Sequence, residues 1–506
     1  MESLRLRNYR CFEDTGDIKL KPITLLVGAN SSGKSSFLKF FPLLKQSIGI
    51  KKNGVFLWYS DDVDFKDFKN AVREGENKIN IDMKMYLKTS AWRVRDDEKF
   101  FNYIKGKGLN DKNVAISLNL TISERNNNTD FLEKLIISYF DQKIEISYSK
   151  KNDVSIWING INYGIKAFSN SEWSGNLLPE ILFQNGEGYF YRSQIVQDKI
   201  HNFLKENGID KGKDSSIFTF LFNSLYFINK THFSEYFKAS LNKDHIDIDT
   251  LNNLYILNNV EDLVEMLNLY LQSIAVNTSY VKPLRVMPER YYRYQNYSVN
   301  EIASDGKNLA MYFANMTNKE LKEFQKWTSD NFKFEVHPNK LEGHIEIDIK
   351  LTEEGDKKEE KKEEKGRNMI DTGFGYNQLL PILAIIWNAV HGRRRIYFSP
   401  HINSNIKYIV IEQPELHLHP RILAMFAEMI CSIISKKDTD VRFIIETHSE
   451  TIINKIGSLI MSEKANENDV NLVLFNAKNE GLNNYVEQAT FDEKGYLNNW
   501  PIGFFL

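Results

Sequence analysis

The sequence predicts an α/β fold, a mixed and parallel sheet flanked by helices and carrying a mixed α/β insert. Two observations predict it. Three strand-like runs, Ile23–Val27, Tyr408–Ile411 and Arg442–Ile445, are apolar almost throughout, and each stops at a polar loop. Runs of this length suit strands buried on both faces in the middle of a sheet. From 369 to 456 the chain also passes through turn–helix, strand–loop, helix and strand–loop, which is the succession of βαβ units.

The elements follow in order. Leu4, Leu6 and Tyr9, then Ile18 and Leu20, alternate with polar or charged residues and read as two short strands about a turn. Ile23–Val27 ends in a Gly- and Ser-rich loop, and the apolar-rich SSFLKFFPLLKQSI after it reads as a helix. Residues 1–80 form the first part of the main fold. Residues 81–280, dense in aromatics, Asn and Lys, form the insert. In it KIEISYSKKNDVSIWING alternates about a turn, while SIFTFLFNSLYFINK and DLVEMLNLYLQSIAV read as helices. No internal repeat and no long heptad array is found, which argues against a coiled-coil arm. Residues 281–460 complete the main fold. There SYVKPLRVMPERYY and IEIDIKL read as strands, EEGDKKEEKKEEKG as a solvated surface loop, and LLPILAII as a helix. Residues 461–506 form a short C-terminal domain, whose Trp500, Phe504 and Phe505 are expected to dock on the protein's own sheet.

Composition narrows the function classes. The chain has 506 residues with 42% apolar content, enough for a substantial core. Lys+Arg 65 against Asp+Glu 67 leaves a net charge of -2, so any contact with DNA or RNA is local or belongs to a partner. The two cysteines, Cys11 and Cys431, make neither a disulfide framework nor a metal spacing. The charged N-terminus is no signal peptide, and no apolar stretch reaches membrane-spanning length. A cytoplasmic protein that meets no membrane is expected.

The strongest chemical signal is Gly28-Ala29-Asn30-Ser31-Ser32-Gly33-Lys34-Ser35, followed by Ser36. Glycines at both ends of such a loop allow backbone angles and close approach that side chains would block. Its N–H groups converge on phosphate oxygens, Lys34 reaches the β- and γ-phosphates, and the Ser35 hydroxyl holds Mg²⁺. ATP and Mg²⁺ are therefore the expected ligands. Glu412 ends a second buried strand, expected beside the P-loop strand, where an acid orients Mg²⁺. His448, ending the third strand, is placed to sense a γ-phosphate. His417-Leu418-His419 has a metal-like spacing, but no Cys/His cluster accompanies it. Arg393-Arg394-Arg395 reads as a solvated helix end.

In that order Gly28–Ser35, Asp371–Gln378, Glu412–Glu415 and Thr447–Ser449 resemble the ABC-type, AAA-type ATP-binding proteins of bacteria. These are relatives of the overcoming-lysogenization-defect nucleases, the structural-maintenance-of-chromosomes proteins and the DNA-repair heads. The resemblance covers roughly 1–80 and 280–506. It implies a P-loop NTPase of ABC-ATPase type that forms a head-to-tail homodimer or higher oligomer. Gly373, Gly375, Asn377 and Gln378 then occupy the signature position and donate to the γ-phosphate across the interface. Arg285 and Arg290 lie where relatives carry a strand near the nucleotide.

Two positions depart from the family pattern. Asn377 stands where Ser is usual, and Gln413 stands where a catalytic Glu follows the Walker B acid. A neutral amide positions water but is no base, which implies slow or partner-gated hydrolysis, with Glu415 as a substitute carboxylate. The stretch after His448 is too short for the Toprim nuclease of the overcoming-lysogenization-defect relatives. The expected role is an ATPase subunit of an anti-phage defence system that controls a separate effector such as a nuclease. The alternative is a DNA-repair or chromosome-processing head that binds DNA directly.

Overall fold

The computed structural model describes residues 1–500 except 89–112, 126–128, 171–174, 186–187, 191–193, 210–214, 224–226, 242–245, 297, 300, 353–365, 393–405, 437–439 and 477–484. The charged run after 352, Arg393-Arg394-Arg395 and the aromatic tail beyond Trp500 thus lie outside the described residues. The chain divides into two compact units. One comprises Met1–Ile18 and Leu43–Val276, the other Lys19–Pro42 and the described residues from Asn277 onward.

In the first unit, alternation builds an antiparallel sheet. The strands Asn113–Glu124, Gln142–Tyr148 and Asp153–Ile158 bury every second residue, so one face is apolar and the other polar. The N-terminal strand Ser3–Tyr9 joins this sheet, antiparallel to Lys78–Lys88. The helices Ile248–Asn258 and Val260–Val276 bury most of their residues and touch the sheet at Asp153–Ile158 and Glu180–Asn185. Amides complete that packing: Asn159 Nδ2 donates to Asn253 at 2.7 Å and Asn252 Nδ2 to Gln142 at 3.1 Å. Buried amides held this way leave little polar surface unmatched.

The second unit is built on a seven-stranded sheet. Its order is Thr278–Val281, Lys407–Glu412, Val441–Glu446, Ile23–Gly28, Val470–Asn476, Tyr485–Phe491 and Leu497–Asn498. The first five strands are parallel and the last two antiparallel. Ile23–Gly28 is buried at all six positions, as a central parallel strand requires. The helices Phe374–His391, Pro420–Ile434 and Glu450–Met461 supply Leu383, Phe426, Ile453 and their neighbours to one continuous core with Leu25, Ile411 and Ile445. A smaller four-stranded sheet containing Phe334–Leu341 and His344–Leu351 shares that core.

The helix expected after the P-loop is two helices, Lys34–Leu38 and Phe40–Ser47. Pro42 explains the break, because its ring clashes with the carbonyl four residues back, that of Leu38. A second difference concerns strand order. Glu412 was expected on the strand beside the P-loop strand, but Val441–Glu446 lies between them. Strand order is set by long-range packing, and chain order does not give it.

Candidate active site

Parallel strands bring their C-terminal ends to one edge, where ligands of open α/β sheets bind. Here that edge gathers the P-loop, Glu412, Glu446 and His448. In register, Glu412 stands opposite Glu446, and Glu446 opposite Leu26 just before the loop.

Gly28 begins the loop with φ +149°, and a Cβ there would lie 2.1 Å from the Phe475 carbonyl oxygen. Only glycine fits. Asn30 and Ser31 are exposed at the loop crest, Ser32 is buried, and Gly33, Ser35 and Ser36 are half-buried. Lys34 is buried, and its ammonium donates to the carbonyls of Gly28 at 2.9 Å and Ala29 at 2.6 Å. Burial lowers its pKa, with Glu446 and Glu415 opposing. The side chain thus lies folded across the loop it would fill with phosphate.

Ser35 does not meet Glu412. Its hydroxyl donates to Glu446 Oε1 at 2.9 Å, while Glu412 Oε1 accepts from the Tyr280 hydroxyl at 2.5 Å. Both carboxylates are buried, at 2% exposure for Glu446 and 3% for Glu412. Burial pushes the Glu446 carboxyl up to about 7, the charge of Glu412 adds to this, and the Ser35 hydrogen bond opposes it. Burial also raises Glu412. Reading the sequence missed Glu446 and Tyr280. The clue was available: Glu446 ends its strand as Glu412 ends its own.

Gln413 has φ +43°, in the left-handed region that a non-glycine residue seldom occupies. Beneath it lies Arg285, buried, whose Nη2 donates to the carbonyls of Glu412 at 3.2 Å and Gln413 at 3.4 Å. Burial pulls that guanidinium down to about 10, with the charge of Glu415 opposing. Arg290 is instead exposed and paired with Asp371 at 2.7 Å, just before the signature loop.

Glu415 is already engaged. Its Oε2 accepts from the Thr447 hydroxyl at 2.9 Å and its Oε1 from the His448 backbone N–H at 2.6 Å. The carboxylate therefore ties the loop after Glu412 to the loop after Glu446, rather than standing free as a base. The His448 side chain is exposed. Partial shielding of its ring from water lowers its pKa and the charge of Lys34 lowers it further, which favours neutral imidazole.

The signature segment divides. Gly373, at φ +89°, precedes the 18-residue helix Phe374–His391 and offers no side-chain cap, so the helix's first N–H groups lack a side-chain acceptor there. Gly373 is exposed and Gly375 half-buried. Asn377 and Gln378 are buried in their own unit, and Asn377 Oδ1 has no partner there. The amide expected to reach a second subunit is thus turned inward, because the helix presents that face to the core.

His419 caps the helix Pro420–Ile434 through its ring nitrogen, accepting from the Arg421 N–H at 3.2 Å. Among the described residues no cluster of His, Cys, Asp and Glu fits a metal by itself, and no helix is long and apolar enough to cross a membrane.

A profile described as the AAA ATPase domain matches residues 1–453. Endonuclease GajA of Bacillus cereus (strain HuB5-5) is 27% identical over 466 residues, covering 87% of this chain and 53% of GajA. The chain therefore spans about half the length of that relative. Among solved structures, the SMC head domain from Thermotoga maritima aligns at 10% identity over 97% of this chain and 98% of that one, with a TM-score of 0.32. The Smc head domain of Pyrococcus furiosus, bound to the C-terminal domain of ScpA, aligns at 10% over 97% and 96%, with a TM-score of 0.31. The recombination mediator protein RecF aligns at 10% over 96% and 97%, with a TM-score of 0.29. These three are loose superpositions.

Proposed function

The chain belongs to the AAA ATPase domain family, and from that premise we propose that it is a nucleotide-driven dimerisation switch with slow ATP turnover, governing a nuclease-type effector in bacterial anti-phage defence. The observation that carries the switch is the split site. The P-loop, the Glu412–Glu415 loop and His448 come from three distant segments and meet on one sheet edge, where Glu415 ties the second segment to the third.

The roles follow from chemistry. Loop N–H groups and Lys34 bind the β- and γ-phosphates, and Lys34 exchanges the carbonyls of Gly28 and Ala29 for phosphate oxygens. The oxygen donors Ser35, Glu446 and Glu412 are the hard set that suits Mg²⁺, and the orphaned, buried Glu446 Oε2 is a donor such a cation would use. Bound there, Mg²⁺ would neutralise phosphate charge. Gln413 orients water without taking its proton, so the chemical step lacks a strong base and the bound state persists. His448, held by Glu415 through its backbone, reads the γ-phosphate. The uncapped helix start at Gly373 is the anion-binding feature offered to a second head.

The effector side of this reading is supported by the similarity to a protein named an endonuclease, together with the motif resemblance to overcoming-lysogenization-defect nucleases. Sedimentation or light scattering with Mg-ATP tests the switch. The wild type is expected to dimerise with ATP and to dissociate after hydrolysis, and Lys34→Ala to stay monomeric. A wild type whose mass ignores nucleotide would refute it. Co-purification from the native host tests the effector, and the absence of any nuclease partner would count against it.

A further inference from the structure

The carboxylate that touches the P-loop is Glu446, and no part of the motif pattern calls for it. We infer that Glu446 is the acid that sets the Ser35 hydroxyl for a divalent cation, and that Glu412 is the more remote carboxylate of the same cation site. The inference rests on the nucleotide-binding reading above.

Three observations converge. The strand Val441–Glu446 is the direct neighbour of Ile23–Gly28, whereas Lys407–Glu412 is one strand further away. The acid able to reach the start of the P-loop helix with least extension is therefore Glu446. Next, Ser35 gives its one hydroxyl proton to Glu446 at 2.9 Å, and a hydroxyl that donates to a carboxylate keeps its lone pairs for a cation. Glu412, by contrast, is drawn onto Tyr280 at 2.5 Å. Finally, Glu446 is 2% exposed and its Oε2 has no partner.

Charge makes the same point. Glu412 and Glu446 are both buried and stand opposite each other in register on neighbouring strands. The Lys34 ammonium is spent on two backbone carbonyls. Among the described residues neither carboxylate has an ion-pair partner. Buried charge of one sign without a partner is unfavourable, and a dication is the compact way to offset it. An all-oxygen set made of one hydroxyl and two carboxylates, open toward a phosphate loop, selects a hard cation that keeps several waters.

The test uses Mn²⁺ as the probe, titrated by electron paramagnetic resonance into the whole chain with a non-hydrolysable ATP analogue. Nucleotide affinity in EDTA is measured in parallel. Glu446→Gln is expected to weaken Mn²⁺ binding by about 10–100-fold with no loss of metal-free nucleotide affinity. Glu412→Gln is expected to do less. Ser35→Ala tests the same contact from the other side, so the double variant should lose no more than the larger single loss. Wild-type Mn²⁺ affinity in Glu446→Gln, or a larger loss in Glu412→Gln, overturns the assignment while leaving the nucleotide site standing. A wild type that binds no nucleotide removes the proposal together with its premise.

Discussion

Glu415→Gln separates a tie between loops from a catalytic base. In the structure both carboxylate oxygens accept: Oε2 from Thr447 Oγ1 at 2.9 Å and Oε1 from the His448 N–H at 2.6 Å. A glutamine keeps one acceptor and turns an NH₂ group toward the other donor. Thr447 is fully buried, its oxygen also accepts from the Ser449 N–H at 3.0 Å, and the acceptor it donates to is Glu415. A hydrogen bond to a charged group contributes about 1.5–3 kcal/mol, and stranding a buried donor costs about 1–3 kcal/mol. The His448 residue is exposed, so water can replace part of what it loses. Glu415→Gln should therefore lower stability by about 2 kcal/mol, and Glu415→Ala by about 3 kcal/mol. Urea unfolding reads the loss as a shifted midpoint, and single-turnover hydrolysis reads the displacement of His448. The reasoning is refuted if Glu415→Gln unfolds at the wild-type midpoint yet hydrolyses nothing, because that is the behaviour of a base.

Other perturbations probe the remaining parts. Gly28→Ala forces a Cβ to 2.1 Å from a backbone oxygen at φ +149°, so a stability loss of about 4 kcal/mol or more is expected, with an insoluble product or an early thermal transition. Gln413→Glu restores a carboxylate after Glu412 and should raise turnover by about 10²-fold at unchanged ATP affinity; fast turnover in the wild type would remove the slow-switch reading. Asp130, in the first unit, accepts from the Val55 and Phe56 N–H groups, and burial raises its pKa from 3.8 to about 6. The folded state thus holds a proton that the unfolded chain releases. Stability from this group is full below about pH 4 and lost as pH rises through 6, by about 3 kcal/mol in all. Asp130→Asn should flatten that slope in unfolding measurements between pH 4 and 7, and an unchanged slope would contradict it.

Much of the fold was legible in the residues. Ile23–Val27, Tyr408–Ile411 and Arg442–Ile445 are strands because a parallel strand buried on both faces must be apolar along its length. The alternation at 142–158 gave a hairpin because a sheet with one buried face has period two. The break at Lys39 was also local, as Pro42 dictates it, though the apolar pattern hid it. What sequence reading missed depends on distant chain. That the N-terminal strand pairs with Lys78–Lys88 follows from no local signal.

By itself the sequence marked the candidate phosphate loop, because glycine, lysine and serine at fixed spacing carry their chemistry within eight residues. It also placed an acid, Glu412, at the end of a second buried strand. Only the tertiary structure decided which acid meets Ser35, since that depends on strand order. It alone showed that Glu415 is occupied and that Asn377 and Gln378 face inward. Hydrogen bonds and burial form between segments tens to hundreds of residues apart. A carboxylate's role is set by the donor opposite it, and chain position does not name that donor.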